Sequence, residues 1–333
     1  MVSVIIPTYN RIGTIRQAVE SVLAQTYPDI EIVIADDGST DGTCESLESY
    51  GDKIRIVKQP NRGPSAARNL GVKESSGEIL AFLDSDDLWL PEKIERQMEV
   101  LEAGGKSVPC CICNATLESE PGKTMTSFEA AEINCKSEAG YILNLSQLLA
   151  TRFVLFNQVV VVRREVFERI GGFNEDLWLL EDHDLALRLS IQGKWGFVRS
   201  PLVCKYESVG NLGGTARKDH ARHLEAVVNV LDMFLQNQSL ISTSLRKEVE
   251  REREELMGAI SATRLAGSSA RGAAITGKAL LFIQRIRRAI RRRSPSWPVA
   301  CIEPLDSRFT ESLPQEPREE SVGQAAGLGG GMR

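Results

Sequence analysis

The 333-residue sequence predicts an α/β fold built on a largely parallel sheet. Three observations point to it. Short apolar runs alternate with helical periodicity through the first hundred residues, the signature of βαβ units. A polar cluster follows one strand after another, as PTYNR, DDGST and DSDD. Apolar residues make up 42% and charged residues 26%, a globular balance that excludes wholesale disorder and collagen-like repeats.

The elements follow in order. Residues 2–7 form an apolar strand, and Ile15, Ala18, Val19, Val22 and Leu23 share one helix face. Residues 30–35 form a second strand, ended by DDGSTDG, and 54–57 a short third. Residues 64–73 read as a helix with Pro64 in its first turn, where the missing N–H costs nothing. Residues 79–83 form a fourth strand, ended by DSDD. In such sheets ligands bind beyond the carboxyl ends of the strands, where these clusters fall.

The middle is less regular. VPCCIC reads as a buried strand carrying small apolar thiols, and 114–150 as a loop with a helix near its end. Residues 159–162 form a β-branched strand, and 163–170 a short helix stopped by Gly171-Gly172. Helical spacing returns over 182–191, and 195–199 and 202–206 read as two short strands. Residues 220–235 and 245–257 read as helices, the second carrying the mixed-sign run RKEVEREREE of a solvated face or a helix–helix contact. Residues 271–293 contain eight Arg or Lys and no acid, with apolar residues at 280, 281, 283, 286 and 290. That pattern reads as a basic amphipathic helix lying on a membrane surface, or as a partner for the acidic helix before it. Residues 294–333 are rich in Pro, Gly, Ser and Glu and are expected to be disordered.

Forty basic against 45 acidic residues give a net charge of −5, which argues against a nucleic-acid partner. No run of 18 apolar residues exists to cross a membrane. The opening MVSVIIPTYN lacks a basic n-region and reads as a strand rather than a signal peptide. Seven Cys without zinc spacing point to a reducing, cytoplasmic compartment.

Asp84, Ser85 and Asp86 form an Asp-x-Asp turn at a strand end. Carboxylates at i and i+2 share a face and suit a hard divalent cation, which in turn holds a diphosphate. Asp87 reads as a cap for the following helix. In DDGST, a carboxylate can accept the imide N–H of uracil, while Asp37 or Ser39 can instead cap a helix. Gly38 permits the tight turn. Arg68 reads equally as a cation for the nucleotide and as a salt bridge across the sheet end. EDHD, residues 181–184, offers three carboxylates at a helix start, either for proton transfer or for favourable interaction with the helix dipole.

The runs SVIIPTYNR, QTYPDIEIVIADDGSTDGT and NRGPSAARNLGVKESSGEILAFLDSDDLW resemble the start of a family 2 glycosyltransferase. The resemblance is dense over 2–100 and continues through GGFNE and LLEDHDLALRL to about residue 215. It implies the GT-A fold and inversion at the anomeric carbon. It implies that Asp86 is the metal ligand, holding manganese or magnesium. Asp84, with Ser85 between the two acids, contacts the nucleotide-sugar. The resemblance further implies that Asp37 meets the base, that Pro7, Thr8 and Tyr9 pack around the uridine, and that Arg11 and Arg68 complete the donor site. Asp182 is implied as the base and Glu181 as the group orienting the acceptor. Relatives often carry a His shortly after the last strand; KYESVGNLGGT has none, and His220 and His223 come later, where a helix surface is expected.

The resulting division places the GT-A domain at 1–215, with a nucleotide half at 1–100 and an acceptor half at 101–215. A helical extension follows at 216–293 and a disordered tail at 294–333. A nucleotidyltransferase would need a Gly-rich basic loop after the first strand, and a dehydrogenase GxGxxG; PTYNRIGT supplies neither. The expected reaction is metal-dependent sugar transfer from a UDP-sugar to a hydroxyl of a glycan or lipid-linked acceptor in cell-surface polysaccharide synthesis. The expected location is the inner face of the plasma membrane, held through 278–293. The alternatives are a polyprenyl-phosphate sugar synthase and an inactive nucleotide-sugar-binding module.

Overall fold

The computed structural model describes residues 1–120, 123–151, 155–205, 220–237, 241–267 and 302–305. Strands β1 (Val2–Thr8), β2 (Ile30–Asp36), β3 (Arg55–Lys58) and β4 (Ile79–Phe82) lie parallel, as the alternating pattern predicts. β1 is buried along its whole length, which is why it reads as an unbroken apolar run rather than an alternating one. Helices α1 (Ile15–Leu23) and α2 (Pro64–Lys73) form the crossovers. α2 lies so close to β1 that a Cβ on Gly71 would come 2.4 Å from Ile5 Cγ2.

Beyond β4 the sheet turns mixed. β5 (Leu88–Trp89), α3 (Lys93–Ala103), β6 (Cys110–Glu120), β7 (Lys123–Thr126), α4 (Ser127–Ala130), β8 (Ala139–Ile142), α5 (Leu145–Thr151), β9 (Val160–Arg163), α6 (Arg164–Arg169), α7 (Glu181–Ser190) and β10 (Trp195–Lys205) follow. The sheet closes with β11 (Ile302–Pro304), in the order β11-β8-β10-β6-β9-β4-β1-β2-β3. β5 pairs with β10 and β7 with β6.

Several expectations change here. Asp87 caps no helix: Leu88–Trp89 is a strand on β10, and α3 begins at Lys93 with Glu92 before it. The stretch 114–150 holds strands β7 and β8 as well as helices. The two short strands over 195–206 are one 11-residue strand whose register shifts near Pro201, where the missing N–H cannot join the ladder. The tail expected to be disordered contributes β11, hydrogen-bonded to β8, with Lys194 2.8 Å from Glu303.

Helices α8 (His220–Asn237) and α9 (Thr243–Gly267) pack on α7 and α5. Leu245, Val249, Leu256 and Ile260 of α9 are buried at helical spacing, and of the charged run RKEVEREREE only Glu252 joins Val249 on that buried face. The Cys110, Cys111 and Cys113 side chains are buried free thiols, with burial pushing each upward in pKa. No described helix is long and apolar enough to cross a membrane. The basic stretch 271–293 lies outside the described residues.

Candidate active site

Parallel pairing aligns the carboxyl ends of β1, β2 and β4, so the three polar clusters meet at one sheet edge. Two loops are laced together there. The Asn10 N–H donates to Ser39 Oγ at 2.9 Å, the Thr40 N–H to Asn10 Oδ1 at 2.8 Å, and the Arg11 N–H to Thr43 Oγ1 at 2.8 Å. Pro7 and Thr8 are buried, and Tyr9 projects with 47% of its surface exposed.

Asp37 caps no helix. Its Oδ1 accepts from the Gln59 amide at 2.7 Å and the Arg62 N–H at 2.8 Å, and its Oδ2 from the Gly63 N–H at 2.8 Å. The carboxylate thus fixes the loop that begins α2. Gly38 takes φ +85 between these loops, with Asn61 N only 3.1 Å from where a Cβ would stand. Asp36 instead accepts the Ser39 N–H at 3.2 Å, closing the local turn.

The Asp-x-Asp turn holds three acids whose oxygens lie within 4.8 Å of one another: Asp84, Asp86 and Asp87. Such crowding needs countercharge. Arg68 donates to Asp84 Oδ1 at 2.7 Å, Lys205 lies 3.1 Å from Asp87 Oδ2, and Arg11 lies 3.8 Å from Asp86. The Gln158 amide donates to both Asp84 and Asp87. Burial pushes Asp84 upward in pKa, but Arg68, Lys205 and Arg11 hold it below the usual carboxylate range. Ser85 is buried between its two acidic neighbours.

Arg68 links this turn to the other end of the site. Its second terminal nitrogen donates to Glu181 at 2.8 Å, and its guanidinium lies 5.3 Å from the centre of the Phe173 ring. Phe173 packs edge-on to Phe82 at 5.0 Å, so the cation sits on an aromatic floor. The salt bridge across the sheet end is therefore present, with a partner on each side.

Helix α7 starts at Glu181 after Leu180, a non-glycine residue at φ 63. Asp182 accepts the His183 N–H at 2.8 Å. Burial raises its pKa to about 7, aided by the Glu181 charge and opposed by Arg68. Asp184 points away and is tied to Arg188 at 2.5 Å, so the three carboxylates of EDHD have separate fates. His183 is buried against α8; burial, then neighbouring His223, lowers its pKa to about 4. His223 is therefore half-buried against α7, not on the helix surface where the sequence placed it.

The structure thus brings Asp84, Asp86, Arg11, Arg68, Glu181 and Asp182 into one cluster, with Asp37 anchoring the adjoining loop. Sequence reasoning missed Gln158 and Lys205. Lys205 carried a usable signal, as the last residue of the last strand in the first 215. Gln158 carried none, since it precedes β9 in a short 3₁₀ turn.

Residues 3–171 match the model of the family described as Glycosyl transferase family 2. The chain belongs to that family. An uncharacterised glycosyltransferase of Rickettsia felis is 35% identical over 191 residues, 57% of this chain and 31% of that protein. The uncharacterised glycosyltransferase EpsJ of Bacillus subtilis is 34% identical over 193 residues, 56% of this chain and 55% of EpsJ. The chain therefore spans about a third to a half of the length of these relatives. Among solved structures, S. aureus TarS 1–349 superposes with a TM-score of 0.60 at 19% identity, covering 77% of this chain and 71% of that one. The mannosyltransferase PcManGT of Pyrobaculum calidifontis, solved with GDP-Man and Mn2+, gives 0.56 at 22% identity, covering 86% and 82%. The family 2 fold is the GT-A fold that the sequence predicts.

Proposed function

We propose that this family 2 chain is a metal-dependent, inverting glycosyltransferase. Its donor is a nucleotide-sugar, UDP-linked, and its acceptor a hydroxyl of a glycan or lipid-linked glycan in cell-surface polysaccharide synthesis. One observation carries the reading: buried Arg68 joins Asp84 of the Asp-x-Asp turn to Glu181, the neighbour of Asp182. A donor-diphosphate end and a proton-accepting end thereby share one site.

Three clustered carboxylates are a hard oxygen donor set, which fits manganese or magnesium. Asp86 would hold the cation, with Asp84 beside it toward the nucleotide-sugar; Asp84 is engaged by Arg68 and Gln158, and Asp87 by Lys205 and Gln158. Such an ion supplies Lewis-acid stabilisation of a leaving diphosphate. Pro7, Thr8, Tyr9, Arg11, Asp37 and Ser85 receive the nucleotide-sugar. Glu181, fixed by Arg68, holds the first turn of α7 in place. Asp182 takes the acceptor proton at its carboxylate as the hydroxyl attacks from the face opposite the departing nucleotide, and the linkage inverts. TarS has been solved with UDP-GlcNAc and PcManGT with GDP-Man, which supports a nucleotide-sugar donor in this fold. A phosphate acceptor, as in a polyprenyl-phosphate sugar synthase, would need no base; a carboxylate poised near pH 7 favours a hydroxyl.

The working division keeps 1–215 as the transferase domain, 216–293 as the helical extension and 294–333 as the tail. The extension would hold the enzyme on the cytoplasmic face of the membrane through 278–293. Calorimetry with UDP, with and without Mn2+, tests the core of the reading. Wild type is expected to bind UDP in a metal-dependent manner and Asp86→Ala to lose that dependence. Equal metal-dependent affinity in the two proteins overturns the assignment. A panel of nucleotide-sugars, followed by hydrolysis with Mn2+ present, identifies the donor and rejects an inactive module.

A further inference from the structure

We propose that Lys205 is a diphosphate-binding residue, held on Asp87 until the outer phosphate of a nucleoside diphosphate takes over its ammonium group. The inference rests on the donor-site reading above. It begins with strand register. β10 pairs antiparallel with β5, Val203 opposite Trp89 and Cys204 opposite Leu88. Lys205 and Asp87 are the residues next to that last pair, and the Lys205 ammonium donates to Asp87, 118 residues earlier in the chain. The ammonium group is therefore delivered by backbone pairing into the acidic turn, one hydrogen bond of 3.1 Å from a cluster whose oxygens lie within 4.8 Å of one another.

Asp87 and Lys205 differ in access. The Asp87 side chain is 0% exposed and that of Lys205 23%, so the cation can be reached from a side that the carboxylate cannot. The ammonium has three donors on a flexible stem, and Phe156 supports it at 5.1 Å from the ring centre. A half-buried ion pair of this kind is a poor stabiliser compared with an apolar pair. Its presence beside a turn suited to a diphosphate has a direct use. The lysine offsets the charge of three crowded carboxylates. When diphosphate charge arrives with a divalent ion, a mobile cation can shift from Asp87 to phosphate oxygen and stabilise the leaving group as charge develops on it. Arg68 is less free to shift, since its two terminal nitrogens are engaged by carboxylates on different elements, Asp84 and Glu181.

Calorimetry of the full chain with inorganic pyrophosphate and with UDP, each with Mn2+, tests the assignment, alongside Mn2+ binding alone read by electron paramagnetic resonance. Lys205→Met is expected to weaken both anions by about 10- to 100-fold, the worth of a charged hydrogen bond. Its affinity for Mn2+ alone should be unchanged or higher, since a competing cation has gone. Lys205→Arg should recover most of the anion affinity. The double variant Lys205→Met with Asp87→Asn guards against misfolding by removing the unpaired carboxylate, and should still bind both anions weakly. Wild-type anion affinity in that double variant, or Mn2+ and anion binding falling together in Lys205→Met, would show that Lys205 only holds Asp87, and overturns the proposal. Failure of wild type to bind either anion overturns the donor-site reading and this assignment with it.

Discussion

Asp182 sits between two opposed influences: burial and Glu181 push its pKa up, and Arg68 pulls it down, leaving it near 7. A base of that strength is matched to neutral pH. Replacing it with Asn should leave UDP affinity nearly intact while turnover falls by roughly 10²–10⁴-fold, measured as sugar transfer at saturating donor. The wild-type rate should climb with pH through about 7, because the ionised carboxylate is the active form. A flat profile from pH 5 to 8 would place the base elsewhere. Asp184 is a poor substitute, being tied to Arg188. The same shift has a cost in stability. A carboxylate whose folded pKa is raised costs stability progressively as pH rises from its unfolded pKa, 3.8, to its folded pKa, about 7, and the cost is complete above that. Asp182→Asn should therefore raise Tm at pH 8 by at least about 2 °C, and the gain should shrink by pH 5 and vanish only below about pH 4, as scanning calorimetry would reveal.

At the scale of elements, α2 joins the two ends of the site. Its entry loop is held by Asp37, and Arg68 in its second turn bridges Asp84 and Glu181. Its distance from the sheet depends on Gly71, where an added methyl would press on Ile5. Gly71→Ala should cost about 1–3 kcal/mol by overpacking, despite the better helix propensity of alanine. The denaturant midpoint should fall, and UDP affinity should fall with it because Arg68 moves with the helix. A more stable variant would mean that Ile5 rotates away freely. β10 is the second decisive element: one bulged strand, rather than two short ones, is what carries Lys205 as far as Asp87.

Across the whole molecule, α8 packs on α7, α9 packs on α8 and α5, and β11 pairs with β8. The basic stretch thus lies in the sequence between Gly267, the end of α9, and Ile302, the start of β11. Truncation after α9 would strip β11 as well as the charges, so membrane binding is better tested by substitution. With Arg285, Arg287, Arg288, Arg291, Arg292 and Arg293 all changed to Gln, co-sedimentation with anionic vesicles should fall sharply. Each such charge is worth about 1 kcal/mol near an anionic surface. Wild-type binding should itself weaken as salt shortens the Debye length to about 3 Å at 1 M. Equal sedimentation of both proteins would instead make the basic stretch an intramolecular partner of α9.

The sequence alone determined the parallel strands β1 to β4 with their two helices, because β1, β2, β4 and the helices bury apolar runs or stripes of their own and β3 carries the half-buried pair Ile56 and Val57. It also marked Asp37, Asp84, Asp86 and Asp182, because a carboxylate cluster at the end of an apolar run stands out without any knowledge of contacts. Only the tertiary structure decided what each acid is paired with. Gln158 and Lys205 reach the Asp-x-Asp turn from 71 and 118 residues away, through antiparallel pairings whose register no local pattern encodes. The same reason hid β7, β8 and β11. A short strand is held by backbone hydrogen bonds to its neighbour, so its residues carry little periodicity of their own. The pKa of Asp182 lay further still from the sequence: it depends on burial and on the distances to Glu181 and Arg68, which exist only once α7 has docked against α2.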